Sequence, residues 1–379
     1  MRSFLAASMD GRLGRGGSGK LELKYVKKDY YLKIAAAGQR MPIGTDLVLH
    51  EESDPEEARR DGRRLGRIIE ESARRYKTPL AVPLMDLRLE KADLLRRIGI
   101  AEDKVDSYHF DEAPGDHVMK LAASTADAPF EAASQAHMDA VRYIAGKTDL
   151  LPVGMLIGPF SLMTKLLADP IVAVAMAGMG LSAEEDEGVK LAERGLVLAE
   201  QVIARSLAAQ IEAGAKAVIV CEPAANVVFI SPKMMEGGSD VFERYVIGPN
   251  LRLRQRMADA GVDLFFHNCG ELNDIMVEQF ATRLDPAMLS FGASRKLWDD
   301  AALVPKDIVL FGNMPTKTFY SDAKMPVDEV VRLTCEMRDK MRAAGHPHIL
   351  GSECDVLHVP GAADTIRNKV DVMLSCGCS

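Results

Sequence analysis

His267 and Cys269 lie two residues apart, directly after the apolar run Val262-Asp263-Leu264-Phe265-Phe266. If that run is a β-strand, alternate residues share a face, and the imidazole and thiol point to one place. Neutral imidazole and thiolate together suit zinc, a borderline-soft ion. A His-x-Cys pair is common by chance, so it needs a third donor. Cys354 is the candidate, in Ser352-Glu353-Cys354-Asp355 after the apolar His348-Ile349-Leu350. A divalent ion held by one neutral histidine and two thiolates has no net charge and keeps a fourth position open. A thiol entering that position would lose its proton yet stay electron-rich, which favours alkylation of sulfur over activation of water. Glu222, in Val220-Cys221-Glu222-Pro223, is the expected exchangeable fourth ligand and a catalytic carboxylate. The plain alternative is a carboxylate bonded to loop amides.

These donors meet only if strand ends converge. From about residue 78, short apolar runs alternate with long amphipathic segments. The runs span 80–85, 105–110, 153–157, 217–220, 262–266, 287–291, 308–311 and 348–350, and the clearest helical stretches are 185–213 and 327–344. Eight such units in about 300 residues predict an α/β chain folded as a (β/α)₈ TIM-type barrel rather than an open doubly wound sheet. Residues 78–379 form the barrel in this reading. Residues 1–77 are an N-terminal extension, made of an arm and a charged, solvated helix over 51–75. The C-terminal strand ends of a barrel share one mouth, which unites His267, Cys269 and Cys354. His109, near the end of the second run, would line the same pocket. His346 and His348 start the last strand, at the end away from the chemistry, and read as structural.

The 379 residues are 47% hydrophobic and 27% charged, with a formal net charge of −8. That mild acidity argues against a nucleic-acid groove. No apolar run is long enough to span a membrane or to serve as a signal peptide, so a cytoplasmic protein is expected. In that setting the cysteines at 221, 269, 335, 354, 376 and 378 are expected to be free thiols or metal ligands rather than a disulfide framework. Two further signals do not hold. Gly14 to Lys20 imitates a phosphate-binding loop, but Leu21 stands where a hydroxyl must hold magnesium. Cys376-Gly377-Cys378-Ser379 imitates a prenylation box without an aliphatic residue, and reads as an exposed tail whose two thiols could bind a soft metal.

The chain resembles the uroporphyrinogen decarboxylase superfamily, and within it the zinc-dependent branch that includes methylcobamide:coenzyme M methyltransferases. The resemblance covers roughly residues 78 to 375. It rests on Ile157-Gly158-Pro159-Phe160, Cys221-Glu222-Pro223, His267-Asn268-Cys269-Gly270, Gly312-Asn313-Met314 and Ser352-Glu353-Cys354-Asp355. It implies zinc at the barrel mouth held by His267, Cys269 and Cys354. It also implies methyl transfer between a corrinoid (methylcobalamin, usually held by a partner protein) and a small thiol or other small methyl donor or acceptor. Asp86 matches an acidic residue that the decarboxylase branch uses catalytically, and Asp86 and Asn313 would line the substrate pocket. That branch also needs an arginine-rich N-terminal segment, which Gly38-Gln39-Arg40 does not reproduce. The patch Lys24, Tyr25, Lys27, Lys28, Tyr30 and Tyr31 would shape a different substrate pocket or dock a corrinoid protein. Two alternatives stay open: a metal-independent decarboxylase working through Asp86, and a non-catalytic barrel that only binds a corrinoid protein. A homodimer is also left open.

Overall fold

All the strand ladders are parallel, and their order is β1-β8-β7-β6-β5-β4-β3-β2. The computed structural model describes residues 28–123 and 128–378. The strands are β1 (Arg40–Ile43), β2 (Leu80–Ala81), β3 (Leu151–Ile157), β4 (Ala217–Cys221), β5 (Asp263–Asn268), β6 (Met288–Phe291), β7 (Val309–Met314) and β8 (His348–Asp355). They curl into the expected (β/α)₈ barrel. Side chains close the seam between β1 and β2: the Thr45 hydroxyl donates to Val82 O at 2.6 Å, and Gln39 Nε2 donates to Lys77 O at 2.7 Å.

Alternation along each strand builds two layers. Ile219, Phe265, Met288, Val309, Phe311 and Ile349 fill the barrel, while Val218, Leu264, Phe266, Leu289, Leu310 and Leu350 pack outward against the helices. The interior is nearly filled, leaving a cavity of about 40 Å³ beneath His267 and Ser290. The long helix Glu187–Ala213 begins where Asp186 accepts the Val189 amide at 2.9 Å. It stops at Gly214, whose φ of 105° suits glycine. No helix among the described residues is long and apolar enough to cross a membrane.

Three sequence expectations change. The segment read as an extension supplies β1, which pairs with β8 through Arg40↔Leu350 and Met41↔Gly351. Four residues containing a proline carry almost no strand signal. The charged helix is half buried: Leu65, Ile68, Ile69, Ser72 and Ala73 face inward from Gly62–Arg75, and only the opposite face is solvated. The run 105–110 is not a strand. Only its ends, Val105 and Phe110, are buried, and one bridge joins Phe110 to Leu167.

The Lys/Tyr patch lies partly outside the described residues, and the glycine-rich arm and Ser379 lie wholly outside them. Its described members plug the barrel floor rather than form a pocket at the mouth. Tyr31 packs edge-on against Phe265 and donates to Asp263 at the start of β5, at 2.9 Å. Lys28 bonds Asp285 and Asp307. The cysteines also depart from expectation, because Cys335 and Cys378 form a disulfide. Nothing in the sequence linked them, since 43 residues separate the two and Cys335 sits inside a helix.

Candidate metal centre

β5 carries residues 263, 265 and 267 toward the barrel axis, so His267 ends the inward set at the mouth. Asn268 faces outward and shapes the exit of the strand. Its amide donates to Ala225 O at 2.8 Å, and its Oδ1 accepts the Gly270 amide at 2.9 Å. This tight turn returns Cys269 toward His267. Cys354 arrives near the end of β8. One ligand atom from each of His267, Cys269 and Cys354 lies within 4.8 Å of the other two.

The electrostatics of the group suit a cation. His267 is buried, with Nδ1 3.0 Å from Ser290 Oγ and Nε2 without any partner. A buried ring nitrogen left unpaired is costly unless something else takes its lone pair. The Cys269 thiol is held below its ordinary range by a hydrogen bond from Cys354 and by His267, with Lys317 adding positive charge. Cys354 is pushed up in return, by that bond and by burial. The hydrogen bond between them places a proton between the two sulfurs and favours negative charge on Cys269 over Cys354. A divalent ion would take the place of that proton, and the donor set fits zinc: one neutral nitrogen, two sulfurs and no carboxylate.

Several residues hold this arrangement without belonging to it. Glu353 is buried and accepts the Ala293 amide at 3.1 Å and the Lys317 amide at 3.3 Å. Asn313 donates to Gly292 O at 2.8 Å and Arg295 O at 3.0 Å. Gly292 lies so close to the backbone of Cys269 that a Cβ there would meet its carbonyl oxygen at 2.8 Å. Asn313 therefore pins the loop that backs Cys269, rather than pointing both its amide hydrogens at a pocket.

The other sequence candidates fall elsewhere. Glu222 is fully buried but is not in the ligand group. It follows Cys221, an inward residue of β4, and so turns outward to the helix Pro159–Leu166. There its oxygens accept the Ser161 amide at 2.5 Å and Asn250 Nδ2 at 2.8 Å. Gly158 leaves room for it, since a Cβ would overlap the carboxylate. Burial pushes Glu222 up to about 6, against the pull of those bonds. Its place as a fourth ligand is thus not occupied in this arrangement, and the loop-amide alternative describes what it does. Asp86 is half-buried beyond β2, accepting the Arg88 amide at 3.0 Å with Arg59 at 3.9 Å. His109 is half-buried next to Phe110, whose amide bonds Leu166 O at the far end of the Pro159–Leu166 helix. Neither joins the ligand group.

Four residues beside this group were not singled out from the sequence: Ser290, Glu353, Asp355 and Cys221. Cys221 pairs in register with His267 and is buried, with its thiol pushed up by burial and by Cys269. Counting alternate positions along β4 places Cys221, and not Glu222, on the inward face. Asp355 is buried beside Cys354 and pushed up to about 7 by burial and by Asp46, with Oδ1 unpartnered.

Residues 49–363 match the family model for uroporphyrinogen decarboxylase (URO-D). Among solved structures, a methyltransferase from Methanosarcina mazei has the same fold, with a TM-score of 0.63 at 14% sequence identity. The likeness covers 91% of this chain and 98% of that one. No curated protein sequence matches this chain.

Proposed function

Because the chain belongs to the uroporphyrinogen decarboxylase family, we propose that it is a zinc-dependent methyltransferase of that family. The methyl group moves between a corrinoid, carried by a partner protein in the cytoplasm, and a small thiol or another small donor or acceptor. The observation that carries this reading is the convergence of His267, Cys269 and Cys354 around an unpartnered, buried Nε2. The name of the M. mazei structure agrees with it.

His267 would hold the metal through Nε2, and Nδ1–H would then donate to Ser290 Oγ, which would fix the ring plane. Cys269 and Cys354 would supply the two sulfurs. Bound there, zinc would supply a Lewis acid that keeps an incoming thiol as a thiolate. Glu353 and Asn313 keep the surrounding loops in place from two sides. Glu222 would become a ligand only by giving up Ser161 and Asn250 and turning through the barrel wall, so we assign it the positioning of the Pro159–Leu166 helix. Asp355 and Asp86, near the mouth, are left to orient the small substrate.

The test is loss of methylcobalamin absorbance with added small thiols, using zinc-loaded protein. Wild type should turn over and Cys354→Ala should not. A metal-independent decarboxylase predicts instead that the zinc-loaded wild type consumes no methylcobalamin, and that its own reaction is unaffected by Cys354→Ala. That outcome would overturn the proposal.

A further inference from the structure

A second group of sulfurs lies outside the barrel, apart from the mouth. Cys335 sits on the helix Val327–Ala344, and Cys376 and Cys378 follow the helix Ala363–Ser375. Their three sulfurs lie within 4.8 Å of one another. The tail that bears two of them is fastened on both sides. One Arg40 nitrogen donates to the carbonyls of Met373 at 3.0 Å, Leu374 at 3.3 Å and Cys376 at 3.0 Å, and reaches Cys376 Sγ at 3.6 Å. Arg338 donates to Cys378 O at 2.9 Å. The sequence Cys376-Gly377-Cys378 therefore folds back onto Cys335 instead of trailing into solvent.

A disulfide needs two sulfurs, and Cys335 with Cys378 already makes one. The third, Cys376, is unbonded and held at the same place by Arg40. Three sulfurs without a carboxylate in the group are the donors of a soft or borderline cation, not of magnesium or calcium. Three thiolates around a divalent ion leave one negative charge, and Arg40 and Arg338 stand beside it to balance it.

We propose that Cys335, Cys376 and Cys378 form a second metal site, for zinc or another thiophilic d¹⁰ cation, opened by reduction of the Cys335–Cys378 disulfide. A dithiol reductant breaks the S–S bond, becomes a disulfide itself, and leaves two thiols. The metal then displaces three protons, one from each cysteine. The site ties the C-terminal tail to the Val327–Ala344 helix and, through Arg40, to β1. It has no histidine and carries no part of the methyl transfer proposed above, so it stands or falls separately.

The test uses the full chain, stripped of metal and titrated with zinc under anaerobic conditions, in reduced and oxidised forms. Reduced protein carrying Cys269→Ser, which disables the mouth, should still bind one zinc and mask three thiols. Oxidation should remove that zinc. Adding Cys376→Ser should weaken it by more than about 100-fold, beyond the loss of an outer-shell partner. Cobalt substitution reads the same site through its thiolate charge-transfer band, and a thermal melt confirms that each variant is folded. If Cys376→Ser misfolds, the comparison of reduced with oxidised protein decides alone. Equal zinc content in both forms, or unchanged affinity in folded Cys376→Ser, overturns the proposal and leaves a plain disulfide.

Discussion

At the floor of the barrel Asp263 opens β5 with its carboxylate accepting the Tyr31 hydroxyl, while at the mouth of the same strand His267 buries Nε2 near two sulfurs without a hydrogen-bond partner of its own. The floor is sealed further by Lys28 between Asp285 and Asp307, and by Arg254 on Asp285 at 2.8 Å. At the mouth, Asp355 Oδ1 and Thr316 Oγ1 are also buried without partners. The separation is not absolute, since His346 Nδ1 stands unpaired toward the floor. The two ends use similar residue types, and pairing distinguishes them. A satisfied buried group serves stability, whereas an unsatisfied one held in place by its neighbours is poised for a ligand.

The comparison breaks most visibly at Cys269. Cys269→Ala should abolish zinc binding at the mouth and lower methyl transfer about 1000-fold or more, the several kcal/mol of barrier that a catalytic metal supplies. The thermal melt of the metal-free chain should barely move. A large drop in its stability would make Cys269 a core residue and not a ligand.

Ser290→Ala should act at one remove. Without the partner of Nδ1, the imidazole loses its fixed tautomer, and zinc affinity should fall about 10- to 100-fold. Competition with a chelator measures this, and unchanged affinity would remove Ser290 from the account.

Tyr31→Phe is the matching change at the floor. It leaves Asp263 buried without its hydroxyl and should cost about 1–3 kcal/mol in denaturant unfolding, with zinc content unchanged. Burial pushes Asp263 up to about 6 from its ordinary 3.8, the Tyr31 bond opposing. The folded chain therefore holds that proton more tightly than the unfolded one. The resulting stability is whole below about pH 3.8 and is lost as pH rises through about 6. The lost hydrogen bond favours the charged form, so Tyr31→Phe should cost more at pH 7.5 than at pH 5. An equal cost at both would mean that the bond does not touch the titration.

The smallest effect is expected at Lys28. Its ion pairs are partly exposed, and Lys28→Ala should cost less than about 1 kcal/mol in the same unfolding assay. A larger loss would make the floor depend on charge more than on the Tyr31 contacts.

The sequence made the barrel legible where strands are buried on both faces. β3, β4, β5, β6 and β7 are apolar runs and lie close to where they were expected. β1 was hidden by its length and by Pro42, and 105–110 imitated a strand because apolar residues bound it at both ends. The three mouth donors were legible because chemistry limits which residues can bind zinc. Glu222 lies one position past the inward Cys221 and so faces Ser161 and Asn250, since odd and even residues of a strand face opposite layers. Ser290, Glu353 and the Cys335–Cys378 pair depend on register and helix packing, which no local pattern encodes.

The central claim is the ligand set at the mouth, and X-ray absorption at the zinc edge tests it most directly. The measurement should use Cys376→Ser protein loaded with one equivalent of zinc, so that the tail does not contribute. The account predicts two sulfurs at about 2.3 Å and one nitrogen at about 2.0 Å, with a light atom completing the shell. A shell of nitrogen and oxygen alone, or a protein that takes up no zinc with all three residues intact, would contradict it.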